Sequence, residues 1–189
     1  MPPKVKVAKQ DIVQTALDLI RRDGETALNA RSIAAALGCS TQPVFTNFAT
    51  MEELQQAALT AAYDCYLSFL KSEAQRGKYP AYKAYGMAYI RFAREEKELF
   101  KLLFMRNRKG EGRTPTADFE ESVDYIVNAN GIPRDRAELM HLEMWSCVHG
   151  VATMLATSFI PLEEDLISTM LTDVYQGLRV KHTEENKGQ

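Results

Sequence analysis

The sequence predicts an all-α protein of about nine helices, arranged as a small three-helix head and a larger helical body. Three observations carry that prediction. Apolar residues recur at three- and four-residue spacing along nearly the whole chain. No stretch alternates with period two, and no Asn-Gly or Asp-Gly pair joins β-branched runs. Helix punctuation recurs, with polar caps at Asn29, Ser40 and Thr50 and glycine stops at Gly24, Gly38, Gly77 and Gly131.

The first helix is expected from Lys9 to Arg22, with Ile12, Val13, Ala16, Leu17 and Ile20 on one face. Gly24 ends it, and Arg21 and Arg22 suit the negative end of its dipole. The second helix starts at Asn29, a good N-cap, runs through Ile33, Ala34 and Leu37, and stops at Gly38. The third takes Ser40 as N-cap and carries Val44, Phe45 and Phe48. Pro43 falls in its first turn, where a missing N–H removes no helical bond. Thr50 and Glu53 fit a capping box, which starts a fourth helix expected to reach about Arg76.

Further helices are expected at Tyr79–Arg94 and Lys97–Arg106, then a polar, basic linker from Arg106 to Pro115. Thr116–Asn130 follows, closed by Gly131. Two long helices, Arg134–Phe159 and Glu163–Val180, are divided by Pro161. The last residues, Thr183 to Gln189, read as a polar, frayed tail. The expected domains are 1–50, a head; 51–182, a helical body; and 183–189, the tail.

Bulk properties exclude several classes. The chain has 189 residues, 46% apolar and 25% charged, enough to bury a core without staples. No apolar run reaches the ~18 residues of a membrane helix. The N-terminus is basic with no apolar segment before a cleavage site, so no signal peptide and a cytoplasmic location are expected. Cys39, Cys65 and Cys147 form no CxxC pair and no zinc pattern with the histidines, so reduced thiols are expected and no metal or other cofactor. No Gly-rich phosphate loop or Ser–His arrangement is legible, so no enzyme and no catalytic residue are expected. Residues 1–50 carry six Lys/Arg against four Asp/Glu, and the rest carry seventeen against twenty-one. A slightly positive head on an acidic body is compatible with a head that meets phosphates.

The stretch Asn29–Phe48 has helix-turn-helix logic: a helix, a turn containing Gly, and a second helix with a polar first turn. Ile33, Leu37, Val44 and Phe48 can pack on the first helix, which leaves Thr41, Gln42, Pro43, Thr46 and Asn47 outside. Thr and Gln suit base-edge hydrogen bonds, and Pro or a Thr methyl can touch a thymine methyl. A merely solvated surface is the competing reading of the same residues.

The stretch Ile12–Leu54 resembles the N-terminal domain of TetR-type transcriptional regulators. The features that carry the resemblance are the apolar first helix ending at Gly24, then Ala30-Arg31-Ser32-Ile33-Ala34 and Leu37-Gly38-Cys39-Ser40. Val44-Phe45, Phe48 and Glu52-Glu53-Leu54 complete them. Further on, Trp145 with His149-Gly150 resembles the Trp…His-Gly motif of one TetR subgroup, as does the run Arg94–Phe104. The resemblance implies that Thr41, Gln42 and Pro43 face bases. It implies that Arg31, Thr46 and Asn47 meet phosphates, alongside the starts of helices two and four. Phe45 stands where the family often has Tyr, Met51 where Lys is common, and Thr46-Asn47 where His is frequent. Lys9, with Lys4 and Lys6, is placed to compensate by reaching the backbone or minor groove; a solvated tail is the alternative for these lysines.

One recognition helix reads few base pairs, so such a protein usually doubles up with heads ~34–36 Å apart. The last two helices offer the pairing surface through Gly150, Ala152, Ala156, Ile167, Met170, Leu171 and Val174; completing the monomer core is the alternative. The large side chains Tyr85, Tyr89, Phe92, Phe100, Phe104, Met140, Met144, Trp145 and His149 are candidates to line an effector pocket, although each by itself also suits core packing. Trp145 and His149, four apart on one helix, should meet, and a structural His149 competes with a ligand-contacting one. The function expected is a DNA-binding transcriptional regulator. It would act as a homodimeric repressor on a palindromic operator, released by a small-molecule effector; repression is carried over from the family's usual mode. The alternative is a helical ligand-binding or protein-interaction module without specific DNA binding.

Overall fold

The structure is a computed structural model that describes residues 7–107, 109 and 117–185. Every long element among them is a helix. In chain order these are α1 Lys9–Asp23, α2 Ala30–Ala36, α3 Gln42–Asn47, α4 Met51–Ala74, α5 Ala81–Glu95, α6 Lys97–Phe104, α7 Ala117–Asn130, α8 Arg134–Ala156 and α9 Glu164–Glu185. A short 3-10 turn, Glu25–Ala27, joins α1 to α2. The all-α expectation therefore holds among the described residues. Lys4, Lys6 and most of the basic linker lie outside them.

The chain folds as two compact units. One gathers the residues through Phe69 together with Glu95–Arg106, and the other takes Leu70–Arg94 and Asn107 onward. The unit that holds α1 to α3 thus extends past residue 50, along most of α4, and takes in α6.

In that first unit, α1 packs against α2, α3 and α6. Ile12 and Ile20 of α1 are fully buried with Ile33, Val44, Leu54, Leu99 and Phe100. Each such side chain contributes about 1.5–3 kcal/mol by leaving water. Arg21 ties α1 to the α5–α6 junction, its Nε donating to Glu96 Oε2 at 2.9 Å. Gly24 ends α1 at φ +81°, and a Cβ there would come within 3.1 Å of Glu98 Oε2. The left-handed conformation therefore favours glycine, while the Glu98 carboxylate, the end of a flexible side chain, could move aside.

The second unit packs α8 against α7 and α9. Val123, Ile126, Ile132, Ala137 and Met140 form one of its apolar clusters, with Tyr175 and Leu178 of α9 against it.

Two helix ends differ from the sequence expectation by three residues or more. The penultimate helix stops at Ala156 rather than Phe159. There the Ser158 N–H donates to the Leu155 carbonyl at 3.1 Å, and the Phe159 N–H to the Met154 carbonyl at 2.9 Å. This is a Schellman closure, and it holds Ser158 at φ +55°, where glycine is usual; no glycine marked the stop. The last helix runs to Glu185 rather than Val180. Lys181 Nζ and His182 Nε2 both bond the Glu143 carboxylate of α8, at 2.9 and 2.8 Å, and His182 is completely buried. A polar sequence thus stays helical because it is docked.

Candidate nucleic-acid interface and ligand cleft

The helix-turn-helix is assembled from local chemistry. Asn29 caps α2, its Oδ1 accepting from the N–H groups of Arg31 (3.1 Å) and Ser32 (3.0 Å). Gly38, at φ +64°, closes the helix: its N–H donates to Ala35, and that of Cys39 to Ala34. The third helix begins at Gln42, with Thr41 rather than Ser40 as its cap, because the Thr41 carbonyl accepts the first helical bonds from Val44 and Phe45. A one-residue shift of this kind is within the usual ambiguity of helix ends. Val44 and Phe48 are buried against the head's core, which fixes the outer face of α3.

On that face Gln42 and Thr46 are exposed, while Thr41, Pro43 and Asn47 are half-buried. Two of the three residues expected at phosphates already use their donors. Thr46 Oγ1 donates to the Gln42 carbonyl at 2.8 Å, and Asn47 Nδ2 to the Pro43 carbonyl at 2.9 Å. A phosphate oxygen needs a donor, so in this conformation both side chains offer it little. Arg31 is exposed and forms no ion pair with the described residues, so its guanidinium remains available. Lys9 Nζ lies 3.2 Å from Glu53 Oε1 and 4.5 Å above the Phe48 ring. It therefore braces the head as well as adding charge.

The start of α4 is acidic. Thr50 Oγ1 accepts from the Glu53 N–H (3.2 Å), and Glu53 Oε2 accepts from the Ala49 N–H (2.8 Å). Hydrogen bonds hold the pKa of both neighbouring carboxyls down: for Glu52 from its own backbone N–H and Thr50, for Glu53 from Ala49 and then Lys9. Two ionised carboxylates therefore stand where the resemblance expects a phosphate. Phe45, by contrast, is 51% exposed, three residues from Gln42 and so on the same side of α3. An exposed aromatic there can meet a thymine methyl. In the sequence, the three-residue spacing from Gln42 is what signals that Phe45 shares its side.

In the second unit, Tyr89, Trp145 and His149 come together. The Tyr89 hydroxyl lies 2.9 Å from His149 Nδ1, and the Trp145 ring stacks on the imidazole, centroids 4.8 Å apart and 6° from parallel. Desolvation lowers the His149 pKa, which favours the neutral ring. Phe100 and Phe104 belong to the first unit, where they pack on each other and Phe104 on Tyr66. Met140 fills the Val123–Ile126 cluster, Phe92 and Met144 are buried, and Tyr85 is exposed.

A cleft of about 260 Å³ opens elsewhere in the second unit, and none of the nine pocket candidates lines it. Its walls come from the end of α4, from α5 and from the start of α9. Glu73 bridges Arg76 (3.1 Å) and Arg91 (3.0 Å), and Glu164 receives Lys78 (2.7 Å) and the Tyr79 hydroxyl (3.2 Å). Met87, Ile90 and Ile167 lie beneath.

Residues 82–174 match the family described as "Tetracyclin repressor-like, C-terminal domain". An uncharacterized HTH-type transcriptional regulator of Mycobacterium tuberculosis is 22% identical over 169 residues, covering 87% of this chain and 78% of that protein. A protein of unknown function from Rhodococcus sp. RHA1 superposes with a TM-score of 0.75 at 18% identity, covering 95% of this chain and all of the other. A TetR-like transcriptional regulator from the same organism superposes at 0.61 with 16% identity, covering 93% and 96%. The chain thus shares the fold of that TetR-like regulator.

The second unit turns several expected pairing residues inward. Ala152, Ala156, Ile167 and Leu171 are buried in the chain's own core, and Gly150, Met170 and Val174 are half-buried. Each of the two last helices nevertheless leaves an apolar stripe outside. Leu139, Leu142 and Trp145 are exposed on α8, and Leu166 and Val180 on α9, in helical register with Met170. Exposed apolar stripes of this kind mark contact surfaces. Burial by α7 and by the packing of α8 on α9, rather than side-chain size, decides which residues remain outside. Among the described residues no group of His, Cys, Asp or Glu could hold a metal ion, and no helix is long and apolar enough to cross a membrane.

Proposed function

We propose that this chain is a homodimeric, DNA-binding repressor that reads a palindromic operator through α3 and is released by a small-molecule effector. The observation that carries the reading is the two-sided α3: Val44 and Phe48 anchor it, while Gln42, Phe45 and Thr46 face outward. Thr41, Gln42 and Pro43 face the bases, with Arg31 and the start of α2 on the phosphates; Lys9, Thr46 and Asn47 lie at the edge of that surface. The head is residues 1–50 in function, and the remainder binds effector and pairs the subunits in the cytoplasm. The subgroup marked by Trp145 and His149-Gly150 is part of this proposal, and the family match over 82–174 includes that segment.

Pairing is assigned to α8 and α9, through the stripes of Leu139, Leu142, Leu166 and Met170. The effector acts by population shift, favouring a body conformation whose heads no longer match successive major grooves, so effector and operator oppose each other reciprocally. One observation favours a second reading, a ligand-binding or interaction module without specific DNA binding: the phosphate side of the head is thin. Thr46 and Asn47 spend their donors internally, and Glu52 and Glu53 sit ionised at the start of α4.

Selection of binding sequences from a random DNA pool, followed by a salt titration on the winner, separates the two. A palindromic site is expected, with affinity falling steeply as salt rises. Failure to enrich any site sinks the repressor reading and leaves the second.

A further inference from the structure

We propose that the cleft between α5 and the start of α9 binds a small amphipathic carboxylate, with a charged head at the rim and a short hydrocarbon body over the floor. The inference concerns the body alone and stands whether or not the head binds DNA.

Charge argues for an anion. The lining carries four cations, Arg76, Lys78, Arg91 and Arg94, against two carboxylates, Glu73 and Glu164, a local balance of +2. The whole chain is −2, so this concentration runs against the overall sign. The carboxylates are engaged: Glu73 lies between Arg76 and Arg91, and Glu164 between Lys78 and Tyr79. Arg94 is held differently. Its Nη2 donates to the backbone carbonyl of Leu162 at 2.7 Å, which orients the guanidinium without neutralising it. A pre-oriented guanidinium loses little freedom when it receives a carboxylate.

The floor argues against a bare inorganic anion. Ala84, Met87, Ala88, Ile90 and Ile167 lie under the charged rim, so part of any occupant meets hydrocarbon. The volume of about 260 Å³ is below the ~300–1,000 Å³ typical of drug-sized ligands, which favours a small molecule. A sulfur-free, metal-free chemistry suffices: one carboxylate receives Arg94 and Lys78, and the chain covers Met87 and Ile90.

The test is calorimetric titration of the full chain with octanoate, 1-octanol and inorganic phosphate, in a buffer free of other carboxylates. Saturable binding of octanoate is expected, with octanol weaker by about tenfold or more, the worth of one charge-assisted contact. Arg94→Ala should weaken octanoate to the level of octanol and leave octanol unchanged. Because Arg94 also holds Leu162, Lys78→Ala supplies a second arm at an exposed side chain; several-fold weaker octanoate binding at unchanged melting temperature is expected. The proposal is overturned by any of four results: no saturable octanoate binding, octanol as tight as octanoate, phosphate as tight as octanoate, or octanoate affinity indifferent to the substitutions.

Discussion

Gln42 stands exposed on the first turn of α3, with its amide unspent on the helix, whereas Asn47 five residues on donates its amide to the Pro43 carbonyl. Residue type alone does not separate these two amides; position within the helix does. At the first turn, backbone carbonyls one turn back are not available to a side chain, and at the last turn they are. Replacing Gln42 with Ala is therefore expected to cost about 1–3 kcal/mol of discrimination at one base position of each half-site, with nonspecific affinity nearly unchanged. Competition binding against single-base operator variants reads that difference. Equal discrimination before and after the substitution places base reading on other side chains. The Asn29 cap and the glycine turn at Gly38 were legible in the sequence because both are set by the few residues around them.

At the scale of elements, α8 carries two histidines that burial keeps neutral. His141 and His149 both have pKa values lowered from 6.5 by desolvation, and each faces a tyrosine hydroxyl, Tyr82 and Tyr89 respectively, at 2.9 Å. The unfolded chain takes up these protons near pH 6.5, and the folded chain only at lower pH. Their contribution to stability is thus fully present above 6.5 and is lost as the pH falls below it. The melting temperature should decline between pH 7.5 and 5.5, and replacing both histidines with Gln should flatten that slope. An unchanged slope in the double variant assigns the acid sensitivity elsewhere. The length of α9 was not legible, since Lys181 to Glu185 are polar and carry no helical stripe. Glu143, 38 and 39 residues earlier, binds Lys181 and His182 and keeps that turn in place.

At the scale of the whole molecule, the reading requires two heads, and the apolar stripes on α8 and α9 are the surface offered for pairing. Leu142 is 54% exposed and lies outside the chain's own core. Leu142→Glu is expected to leave the monomer fold intact, convert a dimer to a monomer at micromolar concentration and remove operator binding. Light scattering with circular dichroism checks all but the last, and a variant that remains dimeric moves the interface off this face.

By itself the sequence determined the fold class, the order of the helices, most of their caps, and the packing side of α3, Val44 and Phe48. These depend on short-range periodicity and on capping within a few residues. Only the tertiary structure decided that α6 joins the head's unit, that Ala152, Ala156, Ile167 and Leu171 face inward, and that the cleft opens at α5 and α9 away from the aromatic residues. Each of these turns on contacts between residues distant in the chain, and an apolar residue at helical spacing looks the same in sequence whichever neighbour eventually covers it.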